Sequence, residues 1–342
     1  MMTTSAESSR VLEVRNLYTS FRTRRGVARS VNGVSFVLER GRTLGIVGES
    51  GSGKSVTLMS IVRLLATPAG RIENGEVLFE GKNLVTSSET EMRHIRGSKI
   101  SVITQDPMTS LNPVYTIGNQ LEEPIRQHQR IRVRDTLRRL AVGALQSVGI
   151  PAPEDRVSSY PHQMSGGQRQ RVVTAMALAC RPSLILCDEP TTALDVTVQL
   201  QILKLLRDLQ KEHGMAMIMV SHDLSVIARV CDDVAVMYAG RIVEKASVSR
   251  LFEKPAHPYT RALMRSLNAE TDASGRLYAI EGQPPNVRNI GNGCPFAPRC
   301  QSVRSECREH FPHEIALSPG HTTSCWAVME EAGITAPVRK SV

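Results

Sequence analysis

The chain has 342 residues, 41% hydrophobic and 22% charged, which is ample for a globular core and unlike a disordered chain. Its net charge of +9 is scattered without a long basic run, and six Phe with one Trp offer little base-stacking material, which argues against nucleic acid. No uninterrupted apolar run approaches the ~20 residues that span a bilayer, and the N-terminus lacks an apolar signal core. The chain reads as cytosolic in character. In that setting its seven cysteines are expected to be free, catalytic or metal-bound rather than disulfide-paired.

Residues 1–10 are polar and read as a flexible N-terminus. Val11-Leu12-Glu13-Val14 and Ser35-Phe36-Val37-Leu38 read as strands, with the charged, glycine-containing residues 22–29 as a hairpin between them. Phe21, just before that turn, could stack on a nucleotide base or pack in the core. Leu44-Gly45-Ile46-Val47 reads as a short buried strand and residues 56–65 as an apolar-faced helix. Between them stands Gly48-Glu49-Ser50-Gly51-Ser52-Gly53-Lys54-Ser55, the phosphate-loop pattern without a mismatch. Glycines let consecutive backbone N–H groups turn onto phosphates, and the helix N-terminus adds partial positive charge. Lys54 would reach the β/γ-phosphates and Ser55 would hold Mg²⁺. A glycine turn that binds nothing is the bland alternative, and the lysine between strand and helix speaks against it. Glu76-Val77-Leu78-Phe79 reads as a further strand. Ile100-Ser101-Val102-Ile103 reads as another, leading to Gln105, whose amide could touch the metal shell and report its occupancy.

From Pro107 to Pro161 the texture becomes helical. Ile117, Leu121 and Ile125 suggest a helix interrupted by Pro124. Val133, Leu137, Leu140, Ala141, Ala144, Leu145 and Val148 form the apolar face of another. Ser165-Gly166-Gly167-Gln168 follows Met164 as a second glycine turn at a helix N-terminus, hence a second anion site. Two such turns in one chain suggest a nucleotide sandwiched between two copies. Leu184-Ile185-Leu186-Cys187 is a buried strand ending in Asp188 and Glu189, placed for the Mg²⁺ shell and for orienting the attacking water. An amphipathic helix over residues 198–209 leads to a buried strand at 215–220. His222 follows that strand, where a γ-phosphate contact is expected, although a satisfied core histidine is the common case. After about residue 248, prolines punctuate a separate, loop-rich appendage. Within it Cys294, Cys300, Cys307 and Cys325 are spaced C-x₅-C-x₆-C-x₁₇-C, which suggests four thiolates around a metal without choosing which one. Cys180, Cys187 and Cys231 lie in apolar contexts and read as packing.

In this order, the phosphate loop, Gln105, Ser165 to Gln168, Asp188-Glu189, Ala193-Leu194-Asp195 and His222 resemble the ATP-binding cassette (ABC) ATPase family over roughly residues 10–250. Met164 replaces the family's usual Leu. Gln105-Asp106-Pro107, Ser110-Leu111-Asn112-Pro113, His257-Pro258-Tyr259-Thr260 and Cys294-Pro295-Phe296-Ala297-Pro298-Arg299-Cys300 resemble the oligopeptide/dipeptide importer branch. Val56 resembles its D-type rather than F-type subunits. The resemblance implies an α/β fold: a RecA-like core with an antiparallel β subdomain and a helical subdomain. The cassette would cover residues 11–248, with the helical subdomain at about 107–168, and a loop-rich extension would cover 249–342. It further implies ATP and Mg²⁺ as cofactors, with Phe21, Val56 and Asp195 added to the nucleotide-binding residues and Ser55, Gln105 and Asp188 at the metal. A 4Fe-4S cluster is the implied occupant of the four cysteines, with zinc or unliganded thiols as alternatives. The implied partners are a second ATPase subunit, an F-type relative, closing each ATP site with its signature turn, two permeases docked on the helical insert, and a solute-binding protein. The implied place is the cytoplasmic face of the cell membrane. An importer for nickel or another solute, or a nucleic-acid-associated ABC ATPase, are the competing readings.

Overall fold

The computed structural model describes residues 9–192, 194–267, 278–288 and 290–334. Most of the expected flexible N-terminus (1–8), Ala193 of the Ala193-Leu194-Asp195 motif, and residues 268–277, 289 and 335–342 of the extension lie outside the described residues. The chain forms two compact units. One comprises Met1–Glu13, Val37–Thr43 and Val77–Val220, the other Val14–Phe36, Leu44–Glu76 and Ser221–Val342.

Strands β1 (Arg10–Thr23) and β2 (Gly26–Glu39) are longer than expected. Their turn is only Arg24-Arg25, closed by Thr23 Oγ1, which donates to Gly26 O at 2.7 Å and accepts from Arg25 N–H at 3.3 Å. Residues 22–29, expected as a hairpin loop, are therefore mostly strand. Charges on the solvent face of an antiparallel sheet cost little, so a charged run does not mark a loop. β3 (Thr43–Val47) is buried at every residue. The helix after the phosphate loop, Lys54–Ile61, stops short of the expected residue 65, with Arg63 in left-handed conformation just beyond it. β4 (Gly70–Phe79) carries the antiparallel β5 (Lys82–Asn83), and the sheet order is β2-β1-β4-β5.

In the unit built on Val77–Val220, β6 (Ile100–Ile103), β7 (Leu184–Asp188) and β8 (Ala216–Ser221) are parallel. β7 and β8 are apolar runs buried throughout, as strands covered on both faces should be. The helical insert contains Ile117–Gln129 and Arg134–Ser147. The first helix runs unbroken through Pro124, contrary to the expected interruption, with Ile117, Leu121 and Ile125 buried. In the second, Leu137, Ala141 and Leu145 form the buried stripe at a spacing of four. Leu140 lies off that stripe and is 39% exposed, while Val133 precedes the helix and is 64% exposed.

In the other unit β3 runs parallel to β9 (Asp233–Tyr238), which returns as β10 (Arg241–Ser247) through Ala239 and Gly240, both at positive φ. The extension does not stand apart from this sheet. β11 (Ile315–Ser318) and β12 (His321–Thr323) add to it, β12 pairing with β10, to give the order β11-β12-β10-β9-β3. One buried carboxylate fixes the join. Glu244, 1% exposed, accepts from Ala256 N–H at 2.7 Å and His257 N–H at 2.8 Å, and lies 2.8 Å from His321 Nε2. Burial pushes His257 down to about 3, so its neutral ring accepts from Tyr259 N–H through Nδ1 at 3.0 Å.

Candidate functional site

The phosphate loop leads from the end of β3 into the Lys54–Ile61 helix, and two of its glycines are dictated by shape. Gly48 and Gly53 have φ of +155° and +101°, and a Cβ would stand 2.1 Å from Met237 O and 2.2 Å from Ser30 O respectively. Gly53 is the helix N-cap, so the first-turn N–H groups follow directly from the glycine turn. Lys54 is 5% exposed, and its Nζ donates to Gly48 O at 2.7 Å and Glu49 O at 3.0 Å. The ammonium is thus held inside the loop, where phosphate oxygens would replace the carbonyls as acceptors. Ser52 Oγ is buried and has no hydrogen-bond partner among the described residues. Ser55 is exposed on the first turn and Val56 is half-buried.

Glu49, within the loop, is held by two residues that the sequence did not mark for this role. Its N–H donates to Tyr259 Oη at 2.9 Å. Its carboxylate takes both arms of Arg299, Nη1 to Oε2 at 2.8 Å and Nη2 to Oε1 at 3.0 Å. Arg299 Nη1 also donates to Tyr238 Oη at 3.1 Å. Tyr238, Tyr259 and Phe296 pack as a ring cluster beneath, with centroids 4.5 to 5.3 Å apart. Burial raises both tyrosine pKa values, so their hydroxyls stay neutral. Phe21 is half-buried beside Gly70, where an added Cβ would stand 2.6 Å from its ring. His222 is exposed at the end of β8, beside Asp223, which caps the next helix by accepting from Ser225 N–H at 2.7 Å.

The other unit carries the acids and the signature turn. Asp188 ends β7 at 9% exposure. Glu189 follows at φ +46°, its N–H donating to Val220 O at 3.0 Å. Its Oε2 accepts from Thr192 Oγ1 at 2.9 Å and from Gln105 Nε2 at 3.4 Å, so Gln105 and Glu189 do meet. Thr192 is a further partner that only its place three residues on could have suggested. Ser165 caps the Gly166–Leu178 helix reciprocally with Gln168: Gln168 N–H donates to Ser165 Oγ, and Ser165 N–H to Gln168 Oε1. Ser165 and Gly166 are exposed, which leaves that helix start open to a ligand. A Cβ on Gly167 would stand 2.6 Å from Val198 Cγ1, so glycine permits close packing on the Val196–His213 helix. Asp195 caps that helix by accepting from Val198 N–H at 3.0 Å.

Cys294, Cys300, Cys307 and Cys325 line one enclosed pocket with His257, Phe296 and Trp326. The pocket is only about 10 Å³, room for about one water. Burial raises the thiols of Cys300 and Cys325 and pushes that of Cys294 up to about 12. Among the described residues no group of three or more His, Cys, Asp or Glu side chains is arranged to hold a metal ion. The four cysteines share one pocket, but the expected metal centre does not stand preformed among the described residues. Cys187 is wholly buried in β7, as its packing reading requires. Among the described residues no helix is long and apolar enough to cross a membrane.

Residues 31–192 match the ABC transporter family and residues 243–307 the oligopeptide/dipeptide transporter C-terminal region. The chain is 48% identical to a probable peptide ABC transporter ATP-binding protein of Sinorhizobium fredii, over 95% of this chain and 97% of that one. It is also 48% identical to the oligopeptide transport ATP-binding protein OppD of Bacillus subtilis, over 95% and 90%. Among solved structures, a dimeric bacterial ABC transporter cassette superposes with a TM-score of 0.62 at 28% identity, over 69% of this chain and 98% of that one.

Proposed function

Because the chain belongs to the ABC transporter family, in its peptide-transporter branch, we propose that it is the ATP-hydrolysing motor subunit of an importer of di- or oligopeptides. The observation that carries this reading is one chain holding both the cassette and the peptide-transporter C-terminal region. Lys54 and the loop N–H groups would take the triphosphate, Ser55 and Asp188 the Mg²⁺, and Phe21 the base. Gln105 and His222 would meet the γ-phosphate, and Glu189 would orient water. The exposed turn from Ser165 to Gln168 would close the ATP site of a second cassette, an F-type relative. Contacts to the γ-phosphate exist only before hydrolysis, so losing them would release the closed pair and rock two permeases docked on residues 107–168. A solute-binding protein would deliver the peptide, and the chain would sit peripherally on the cytoplasmic face. The cassette would then be residues 11–248 and the extension 249–342. In vesicles holding the permeases and both cassettes, with ATP enclosed in the lumen and binding protein outside, peptide should enter the lumen. Ser165→Arg should stop that uptake while sparing ATP binding by the isolated chain. Uptake of nickel but no peptide would refute the substrate class. Loss of ATP binding by Ser165→Arg alone would refute the head-to-tail pairing.

For the cysteine pocket the donor set, four thiols facing one space, suits a thiolate-ligated group such as a 4Fe-4S cluster. The group would supply the cation that lets buried thiolates ionise, and would serve structure rather than turnover. At about 10 Å³ the pocket would have to open to admit it. Anaerobically purified protein should be brown and contain iron and acid-labile sulfide, with Cys300→Ser bleaching it. A colourless protein with one zinc per chain would keep the ligands and reject the cluster.

A further inference from the structure

Glu49 puts a carboxylate in a loop built to receive a triphosphate, a repulsion that needs an answer. The answer stands 250 residues away in sequence. Arg299 is 5% exposed at its side chain and grips Glu49 through two charge-assisted hydrogen bonds. It is itself held in place, Nε donating to Glu281 O at 2.9 Å and Nη2 to Ile280 O at 3.1 Å. A short segment after these carbonyls, Pro284, Pro285, Asn286 and Val287, lines a cavity of about 240 Å³ with Glu49, Ser50, Gly51 and Ser52. Val287 O accepts from Arg29 N–H at 3.2 Å, tying the segment to β2. Below, Phe296 packs edge-on to Tyr238, and Tyr259 holds the Glu49 N–H. The C-terminal extension is therefore built into the wall of the phosphate loop.

We infer that Arg299 is a positioning residue for ATP: by neutralising and turning aside the Glu49 carboxylate, it keeps the phosphate loop open to a polyanion. This rests on reading residues 48–55 as the phosphate loop. Without Arg299 the carboxylate is released toward the phosphates, and ATP binding weakens although the P-loop backbone is intact. The remedy for that loss is to remove the second charge, which a merely structural tie does not predict.

Calorimetric titration of the full chain with MgATP tests this. Arg299→Gln should weaken binding about tenfold, and Arg299→Lys about threefold. Adding Glu49→Gln to Arg299→Gln should recover most of the loss. Binding by Arg299→Gln within about twofold of wild type would overturn the inference, as would a double variant as weak as the single. If Arg299→Gln does not fold, Arg299→Lys paired with Glu49→Gln takes its place, and binding by that pair more than about tenfold weaker than wild type overturns the inference. Lys54→Ala is the control. If it binds ATP normally the phosphate-loop reading itself fails, and if it loses ATP while Arg299→Gln does not, only the role of Arg299 fails.

Discussion

Glu189→Gln leaves ATP binding in place and slows hydrolysis by the assembled transporter about a hundredfold or more, the scale on which a positioned general base acts. The surroundings of the side chain support this reading. Its backbone is held in left-handed conformation by the bond to Val220 O, and Thr192 and Gln105 donate to one oxygen, Oε2. The amide of Gln keeps the shape and an oxygen for Thr192, but gives up the charge that draws a proton from water. Lys54, Ser55 and Asp188 are untouched, so the variant should hold ATP and accumulate in the closed state. Single-turnover hydrolysis and nucleotide trapping measure both halves. A near wild-type rate would remove Glu189 from the chemistry.

Gly53→Ala abolishes useful ATP affinity, about a hundredfold, without unfolding the chain. A left-handed backbone costs an L-residue about 1–2 kcal/mol. The added methyl would also stand 2.2 Å from Ser30 O, which is backbone and cannot rotate away. Forcing such a contact costs a further ~1–3 kcal/mol. The free loop relaxes out of its phosphate-binding shape, and restoring that shape on binding costs about 2–5 kcal/mol. That range includes the about 2.7 kcal/mol of a hundredfold loss in affinity. Gly51 provides the contrast. Its φ is +76°, but among the described residues nothing lies within 4 Å of its Cβ direction, so Gly51→Ala carries only the backbone cost and weakens ATP about tenfold. Titration calorimetry with a circular-dichroism check of fold decides between the two. Equal losses at both positions would mean that close approach to Ser30 plays no part.

What could be read from the sequence was chemistry that local backbone must carry. A phosphate loop needs its glycines, lysine and serine within eight positions, and a buried strand ending in Asp188-Glu189 needs an explanation wherever it occurs. The glycine turn at Ser165 to Gln168 that opens a helix is equally local. Pro124 misled because a proline weakens one helical turn, yet the packing of Ile117, Leu121 and Ile125 outweighs it. The charged hairpin misled because solvent-facing strand residues look like loop residues. The clamp on Glu49 was illegible for a different reason: ion pairs across 250 residues leave no periodicity, and Arg299 sits in a stretch whose cysteines draw the eye. Likewise nothing local foretold that residues 315–323 would join the sheet through Glu244, His321 and the β10–β12 pairing.

That pairing changes where the sheet ends. Without β12, the seven residues of β10 would offer solvent a row of unused N–H and C=O groups, a template for another chain's strand. With it, the terminal strand is β11, four residues long, its register broken between Ala316 and Ser318. A short, irregular border strand is a poor template, whereas a long regular one recruits partners. The extension therefore replaces a seven-residue border at β10 with one ill suited to strand pairing between copies of the chain.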